Sequence, residues 1–160
     1  MGAIVLGDLE EPGADGDGEP AGELDVASAP LEGTVVEGDE VPLAIDELTL
    51  VALLGAFADG ETVVRGAAEL RLKESDRISA VVEGLRGLGA DIEESADGFV
   101  VRGDGSPLRG GVIDARGDHR LAMLGAVAGL ASVEGVEVEG MEAAAVSYPG
   151  FEADLRSLLG

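Results

Sequence analysis

The sequence predicts a mixed fold of the α/β (α+β) class, built from two imperfect copies of one unit. Three observations indicate this: helical spacing of apolar residues, short β-type runs that follow turn signals, and a loose internal repeat. The copies would span about residues 1–87 and 88–160, each running strand, strand, helix, strand, helix. Packed face to face, they would place the helices inside and the sheets outside, or the reverse.

The predicted strands come first in each copy. Residues 10–22 are Gly, Pro, Asp and Glu with almost nothing apolar, so they are expected to form a mobile loop of a hairpin between 3–9 and 23–28. Two further runs, 62–65 and 136–139, alternate or repeat β-branched residues directly after Asp-Gly or Glu-Gly. These are predicted to be strands.

Three helices are predicted from three- and four-residue apolar spacing, over residues 45–58, 76–88 and 119–130, and a fourth, short helix is predicted over residues 151–159. Asp46 and Asp118 stand at the starts of the first and third, where a carboxylate can cap free N–H groups. The residues expected to end helices are glycines, because glycine adopts a left-handed conformation without strain: Gly60, Gly89 and Gly135.

The composition is strongly acidic. The chain of 160 residues has 33 acidic and 10 basic residues and a formal charge of -23. Such a surface excludes nucleic acid as a partner and suits a halophilic protein, because concentrated salt screens the self-repulsion. The alternative is an acidic interaction surface in a protein of an ordinary cell. The distribution of the acidic residues argues against it, because they are spread along the whole chain instead of forming one tail.

Other classes of protein are excluded by what the sequence lacks. Without cysteine there is no disulfide framework, no thiolate nucleophile and no cysteine-based zinc site. No apolar run reaches the roughly 20 residues of a membrane span, and no basic region followed by an apolar one opens the chain. The sequence therefore predicts a cytoplasmic protein with no membrane partner.

Two charged clusters carry the chemistry. Residues 72–77 read LKESDR and precede a helix, whose free N–H groups favour an anion that Lys73 and Arg77 can bind, while Glu74 is available for proton transfer. The alternative is that Ser75 or Asp76 is an N-cap in a solvated charge cluster.

The second cluster is Asp118-His119-Arg120, expected at the corresponding helix start of the second copy. His119 is the one histidine of the chain, and a lone histidine is more often a structural hydrogen-bonder than a catalyst. Because each copy would place its cluster at the equivalent helix start, we expect Arg77 and Arg120 to lie close together on one face of the fold.

These clusters belong to a longer series of matching stretches. In order and spacing, the chain resembles the C-terminal part of the 5-enolpyruvylshikimate-3-phosphate synthase family, weakly before residue 28 and strongly from residue 42. The matching stretches are 42–48 (PLAIDEL), 56–60 (AFADG), 71–78 (RLKESDRI), 85–90 (LRGLGA), 117–123 (GDHRLAM) and 147–151 (SYPGF).

The resemblance implies an incomplete inside-out enolpyruvyl transferase domain built of repeated βαβαββ-type units. It implies transfer of the enolpyruvyl group of phosphoenolpyruvate to the 5-hydroxyl of shikimate 3-phosphate, which releases phosphate and serves aromatic amino acid and chorismate biosynthesis. No metal and no organic cofactor are implied. The complete enzyme is expected to be a monomer.

By position, the resemblance also implies the roles of single residues. Asp46 would be the acid–base residue at the attacking hydroxyl, and Glu74 would exchange the proton at the methylene carbon. Lys73 would contact the shikimate 3-phosphate and assist with protons, while Arg77 and Arg120 would clamp the phosphoenolpyruvate. The supporting residues would be Asp118 and His119.

Two departures from the family limit this reading. Val146 stands where many members have a lysine, and the N-terminal domain with its share of the cleft is not in the chain, which is expected to start truncated and to be inactive alone. Two alternatives remain: a related transferase acting on a nucleotide sugar, and a catalytically dead binding or structural module of the same fold.

Overall fold

A computed structural model describes residues 4–10 and 21–159 of the chain. Eight strands and five α-helices are formed there, together with 3₁₀ helices at Ala68–Leu72 and Met141–Val146. The strands are β1 (Ile4–Glu10), β2 (Ala21–Ala27), β3 (Val35–Val36), β4 (Asp59–Val64), β5 (Asp91–Ser95), β6 (Gly98–Asp104), β7 (Gly111–Asp114) and β8 (Val136–Glu139). The helices are α1 (Glu40–Leu43), α2 (Leu48–Phe57), α3 (Arg77–Gly87), α4 (His119–Leu130) and α5 (Phe151–Leu158).

The strands form three open sheets within the described residues. β1 and β2 make an antiparallel hairpin, and β7 and β8 pair in parallel. The third sheet has the order β3-β4-β6-β5, with β3 parallel to β4 and the remaining pairs antiparallel. Parallel neighbours need a crossover, and the two parallel pairs are joined by α2 and α4.

The core lies between three helices and the inner faces of the sheets. α2, α3 and α4 contact one another, α2 packs on β6, α3 lies between β5 and β7, and α4 packs on β7 and β8. Leu48, Ile78, Phe99 and Leu121 are among the fully buried side chains that fill this space. Of the two predicted arrangements, the structure adopts the one with the helices inside and the sheets outside. None of the described helices is long and apolar enough to cross a membrane.

Most predicted elements are confirmed, with shifted ends. The hairpin strands, β8, α3, α4 and α5 are formed, α2 begins only at Leu48, and β4 begins earlier than predicted, at Asp59. The loop predicted between the hairpin strands falls on residues 11–20, outside the described residues. Gly89 follows the end of α3 with φ 101°, as predicted, but Gly60 lies within β4 and Gly135 in the turn before β8.

The two halves repeat one order of elements, namely β1-β2-β3-α2-β4-α3 and then β5-β6-β7-α4-β8-α5, with α1 as an addition to the first. In this order α4 corresponds to α2, and α3 corresponds to α5. The prediction that the Asp118 cluster occupies the helix start equivalent to that of Arg77 is therefore wrong. Division into copies at residues 87 and 88 stays a prediction.

Candidate active site

Three segments distant in sequence meet at the starts of the central helices. Asp46 lies in the turn of residues 44–47 before α2, Arg77 is the first residue of α3, and Arg120 is the second residue of α4. One carboxylate joins them: Asp46 Oδ1 lies 2.9 Å from Arg77 Nη1, and Asp46 Oδ2 lies 3.2 Å from Arg120 Nη2. The expected closeness of the two guanidinium groups is confirmed, but the Arg77 side chain is buried and does not open on a shared face.

Arg77 is the most buried of the charged groups, with 1% of its side chain exposed. Its guanidinium donates from Nε to Asp118 at 2.8 Å, from Nη1 to Asp46 at 2.9 Å and from Nη2 to Glu74 at 2.6 Å. Burial lowers the pKa of Arg77, but the hydrogen bonds and charges of the three carboxylates outweigh it and hold this pKa above its ordinary value.

Asp118 connects α3, α4 and the loop between β4 and α3. Its side chain is fully buried and accepts from the Arg120 backbone N–H at 2.9 Å, from Ser75 Oγ at 3.0 Å and from Arg77. Burial raises the pKa of Asp118, whereas the Arg77 and Arg120 donors lower it by more, so the net shift is downward. The predicted N-cap of α4 is confirmed, and the cap is also a long-range ion pair.

The loop before α3 carries Lys73 and Glu74. Lys73 Nζ lies 2.7 Å from Glu69 Oε1, and this hydrogen bond raises the pKa of the lysine. Glu74 is half-exposed and bound to Arg77. Asp76 caps α3, since its side chain accepts from Ser79 N at 3.1 Å. The cap alternative is thus correct for Asp76, while the neighbouring charges still form a cluster with Asp46.

The start of α2 differs from its prediction. Asp46 does not cap α2, because both its oxygens bind arginines; Glu47 takes the N-cap position without a side-chain cap bond. Arg120 Nη1 donates to the Asp46 carbonyl at 3.1 Å and to Glu47 Oε1 at 3.4 Å. His119 is half-buried at the first position of α4, and its side chain makes no hydrogen bond to another side chain or backbone group among residues 4–10 and 21–159.

A cavity of about 180 Å³ lies beside the charges. Asp46 and Arg120 line this cavity together with a mostly apolar wall formed by Thr49, Leu50, Met123, Leu124, Val127 and Phe151.

Val146 stands at the position where many members of the family have a lysine. It ends the second 3₁₀ helix with 79% of its surface exposed. The structure therefore places no cation at that position.

Three contributors were missed from the sequence as members of the site: the bridging hydroxyl of Ser75, and the carboxylates of Glu47 and Glu69 that bind Arg120 and Lys73. The four-residue spacing of Glu69 and Lys73 is a signal that could have revealed their pair. No group of three or more His, Asp or Glu side chains among residues 4–10 and 21–159 is arranged to hold a metal ion.

Comparison of the sequence with known proteins identifies one family. The family model for EPSP synthase (3-phosphoshikimate 1-carboxyvinyltransferase) matches residues 3–155. The 3-phosphoshikimate 1-carboxyvinyltransferase of Thermotoga sp. (strain RQ2) is 57% identical over 134 residues, which cover 83% of this chain and 32% of that protein. That of Roseiflexus castenholzii is 49% identical over 141 residues, 88% of this chain and 32% of that protein.

Comparison with solved structures identifies the same family as the sequence comparison. The EPSP synthase of Acinetobacter baumannii superposes with a TM-score of 0.87 at 38% identity, over 98% of this chain and 36% of that chain. The enolpyruvyl transferase NikO of Streptomyces tendae, at 23% identity and a TM-score of 0.71 over 99% of this chain and 33% of that one, shares the fold. The chain spans about a third of the length of the relatives it matches, and it belongs to the EPSP synthase family.

Proposed function

We propose that this chain is the C-terminal part of an enzyme that transfers the enolpyruvyl group of phosphoenolpyruvate to shikimate 3-phosphate. Membership of the family supports this, and one geometric observation carries it: the Asp46 carboxylate lies between the Arg77 and Arg120 guanidinium groups, next to Lys73 and Glu74. A site with cations, two accessible acids and an apolar wall suits addition and elimination on a phosphorylated enol.

In the proposed reaction the 5-hydroxyl oxygen attacks the central carbon of phosphoenolpyruvate while the methylene carbon takes up a proton. Asp46 accepts the hydroxyl proton, and Glu74, half-exposed at the rim, donates the proton to carbon and later removes it as phosphate leaves. Arg120 and Arg77 clamp the carboxylate and phosphate of phosphoenolpyruvate, and Lys73 faces the phosphate of the second substrate.

Asp118 and His119 have supporting roles in this proposal. Asp118 orients Arg77 through Nε at 2.8 Å and fixes the start of α4 through the Arg120 N–H at 2.9 Å. A fixed guanidinium stabilises developing charge without reorganising during the reaction. His119 precedes Arg120 at the same helix start, and its proposed supporting role rests on that position.

We also propose that the chain is inactive alone and requires an N-terminal domain that supplies further cations, the complete enzyme being a cytoplasmic monomer. The local charge supports this, because carboxylates outnumber cations in the cluster: Asp46, Glu47, Glu69, Glu74 and Asp118 against Lys73, Arg77 and Arg120. A dianionic phosphate needs a surplus of cations, and each missing donor costs several kcal/mol of transition-state stabilisation.

The test restores an N-terminal domain from a relative, in the same chain or as a partner, and measures phosphate release with both substrates. Activity is expected only after restoration. Glu74→Gln should lower kcat at least a hundredfold with KM nearly unchanged, because it removes proton transfer and leaves the clamp. Arg120→Ala should instead raise KM for phosphoenolpyruvate.

Arg120→Lys is the matched control, since it keeps the charge and loses the paired donors. Turnover by the isolated chain would contradict the need for a second domain, and undiminished kcat in Glu74→Gln would contradict its assigned role. A restored protein that binds both substrates without any turnover would favour the catalytically dead module.

High-salt adaptation is a separate proposal. The formal charge of -23 on 160 residues supports it, because this charge repels itself until counterions screen it. The midpoint of thermal unfolding should rise steeply between dilute buffer and molar potassium chloride. A flat or falling midpoint would remove the halophilic interpretation.

A further inference from the structure

Two of the three cations assigned to substrate binding also bind an exposed glutamate that has no assigned role in the reaction. Lys73 pairs with Glu69 at 2.7 Å, and Arg120 pairs with Glu47 at 3.4 Å, beside its contact with Asp46 at 3.2 Å. The Glu69 and Glu47 side chains are 65% and 57% exposed. The ligand-free cations are therefore already partly neutralised by groups that lie at the rim of the site.

We propose that Glu69 and Glu47 compete with the phosphate-bearing ligand for Lys73 and Arg120, and thereby set the affinity of the site for anions. The inference rests on the proposed function, in which these two cations bind phosphorylated substrates. When the anion binds, each glutamate leaves its cation and turns into solvent. Neither residue takes part in the chemical steps.

The geometry makes these two carboxylates easy to displace. An exposed ion pair contributes about 0 to 1 kcal/mol, because water solvates both separated charges and the long side chains regain rotamer freedom. Glu69 and Lys73 are four residues apart at the junction of a 3₁₀ helix and a loop, so no tertiary contact breaks when they separate.

The buried carboxylate of the cluster behaves oppositely. Asp118 is fully buried with Arg77 and accepts from Ser75 and the Arg120 backbone as well. Removing it from Arg77 would leave an uncompensated buried charge, which is costly. Competition is thus confined to the exposed rim, and the buried pair keeps its geometry whether or not an anion is bound.

The test titrates inorganic phosphate into the 160-residue chain at fixed pH and fixed potassium chloride concentration, with binding followed by amide chemical shifts in NMR. Glu69→Gln and Glu47→Gln should each tighten phosphate binding about two- to fivefold, which corresponds to the loss of one exposed ion pair. Both substitutions are at exposed positions, so the fold should be kept, and the amide spectrum of each variant reports it.

Glu152→Gln is the matched control. Glu152 forms an exposed pair with Arg156 at 2.9 Å with the same four-residue spacing, and its substitution removes the same charge outside the cluster. It should leave phosphate affinity within the error of the unchanged chain. A tightening equal to that of Glu69→Gln would show a general charge effect and overturn the proposal.

A double-mutant cycle locates the effect. In a Lys73→Met background, Glu69→Gln should no longer tighten binding, because the cation for which Glu69 competes is absent. Persistent tightening there would contradict competition at Lys73. Unchanged or weaker binding in both glutamine variants, or no phosphate binding by any variant, would also overturn the proposal.

The proposed function has its own readout, turnover after an N-terminal domain from a relative is added, so the two proposals can fail separately. Tightening in the glutamine variants without turnover in the restored protein would uphold competition and remove the transferase reaction. Turnover in the restored protein without tighter phosphate binding in the glutamine variants would support the transferase reaction and overturn the competition.

Discussion

The starts of α3 and α4 use the same residue for different purposes. Asp76 accepts from Ser79 N at 3.1 Å, and Asp118 accepts from Arg120 N at 2.9 Å, so both are N-caps. Asp76 is partly exposed and its charged partner, Arg71, is five residues away; Asp118 is fully buried and its charged partner is 41 residues away. The same capping chemistry is local at one helix and tertiary at the other.

Asp118→Asn should produce the largest loss of stability, because it leaves the buried Arg77 charge without its one fully buried carboxylate partner. We expect a fall of about 3 to 5 kcal/mol in the free energy of unfolding, measured by urea denaturation at neutral pH in molar salt. Asp76→Asn is the control, since asparagine also caps and Asp76 is not fully buried. Equal losses in the two variants would erase the distinction between the helix starts.

At acidic pH, the difference in unfolding free energy between the unchanged chain and the Asp118→Asn variant should become smaller. The pKa of Asp118 is lowered on folding, so its contribution is fully present above the unfolded value of about 3.9 and is lost as pH falls through the lower folded value. The difference in unfolding free energy should hold at pH 5 to 7 and shrink below pH 4. A difference that stays constant down to pH 2 would show that the charge of Asp118 is not what stabilises the fold.

Asp76→Ala should have the smallest of the three effects. Loss of an N-cap costs about 1 kcal/mol, and the associated ion pair with Arg71 is partly exposed. Asp76→Ser should restore most of that loss, because serine caps without the charge. A loss near that of Asp118→Asn would mean that Arg71, which also binds Glu94 at 2.7 Å, makes Asp76 a tertiary junction too.

Sequence predicted those parts of the fold and site that depend on local pattern. The apolar spacing of α4 located it at residues 119–130, and the capping preference of aspartate identified Asp118. The same preference gave the wrong result for Asp46, whose oxygens bind Arg77 and Arg120 from 31 and 74 residues away. A local rule cannot weigh partners that only the tertiary fold brings close.

The strand β5 was missed because three of its five residues are acidic. Asp91, Glu93 and Glu94 make β5 read as a polar segment, yet Arg102 on β6 lies near Asp91 and Glu93 and offsets part of their charge. Their exposure is tolerated because β5 is at the edge of its sheet. With Ile92 as its one buried residue, β5 lacks the hydrophobic alternation from which a strand is predicted.

The pairing of β4 with β6 joins the two halves of the chain in one sheet, and we expect it to make them unfold together. These strands come from different halves of the chain, and their ladder runs from Asp59 opposite Asp104 to Val64 opposite Phe99. Neither half can complete this sheet without the other, so opening the ladder exposes Val64 and Phe99 of the shared core together. Amide hydrogen exchange at Val64 and Phe99, which face each other across this ladder, should therefore proceed only through global unfolding, with the same free energy of opening at both amides.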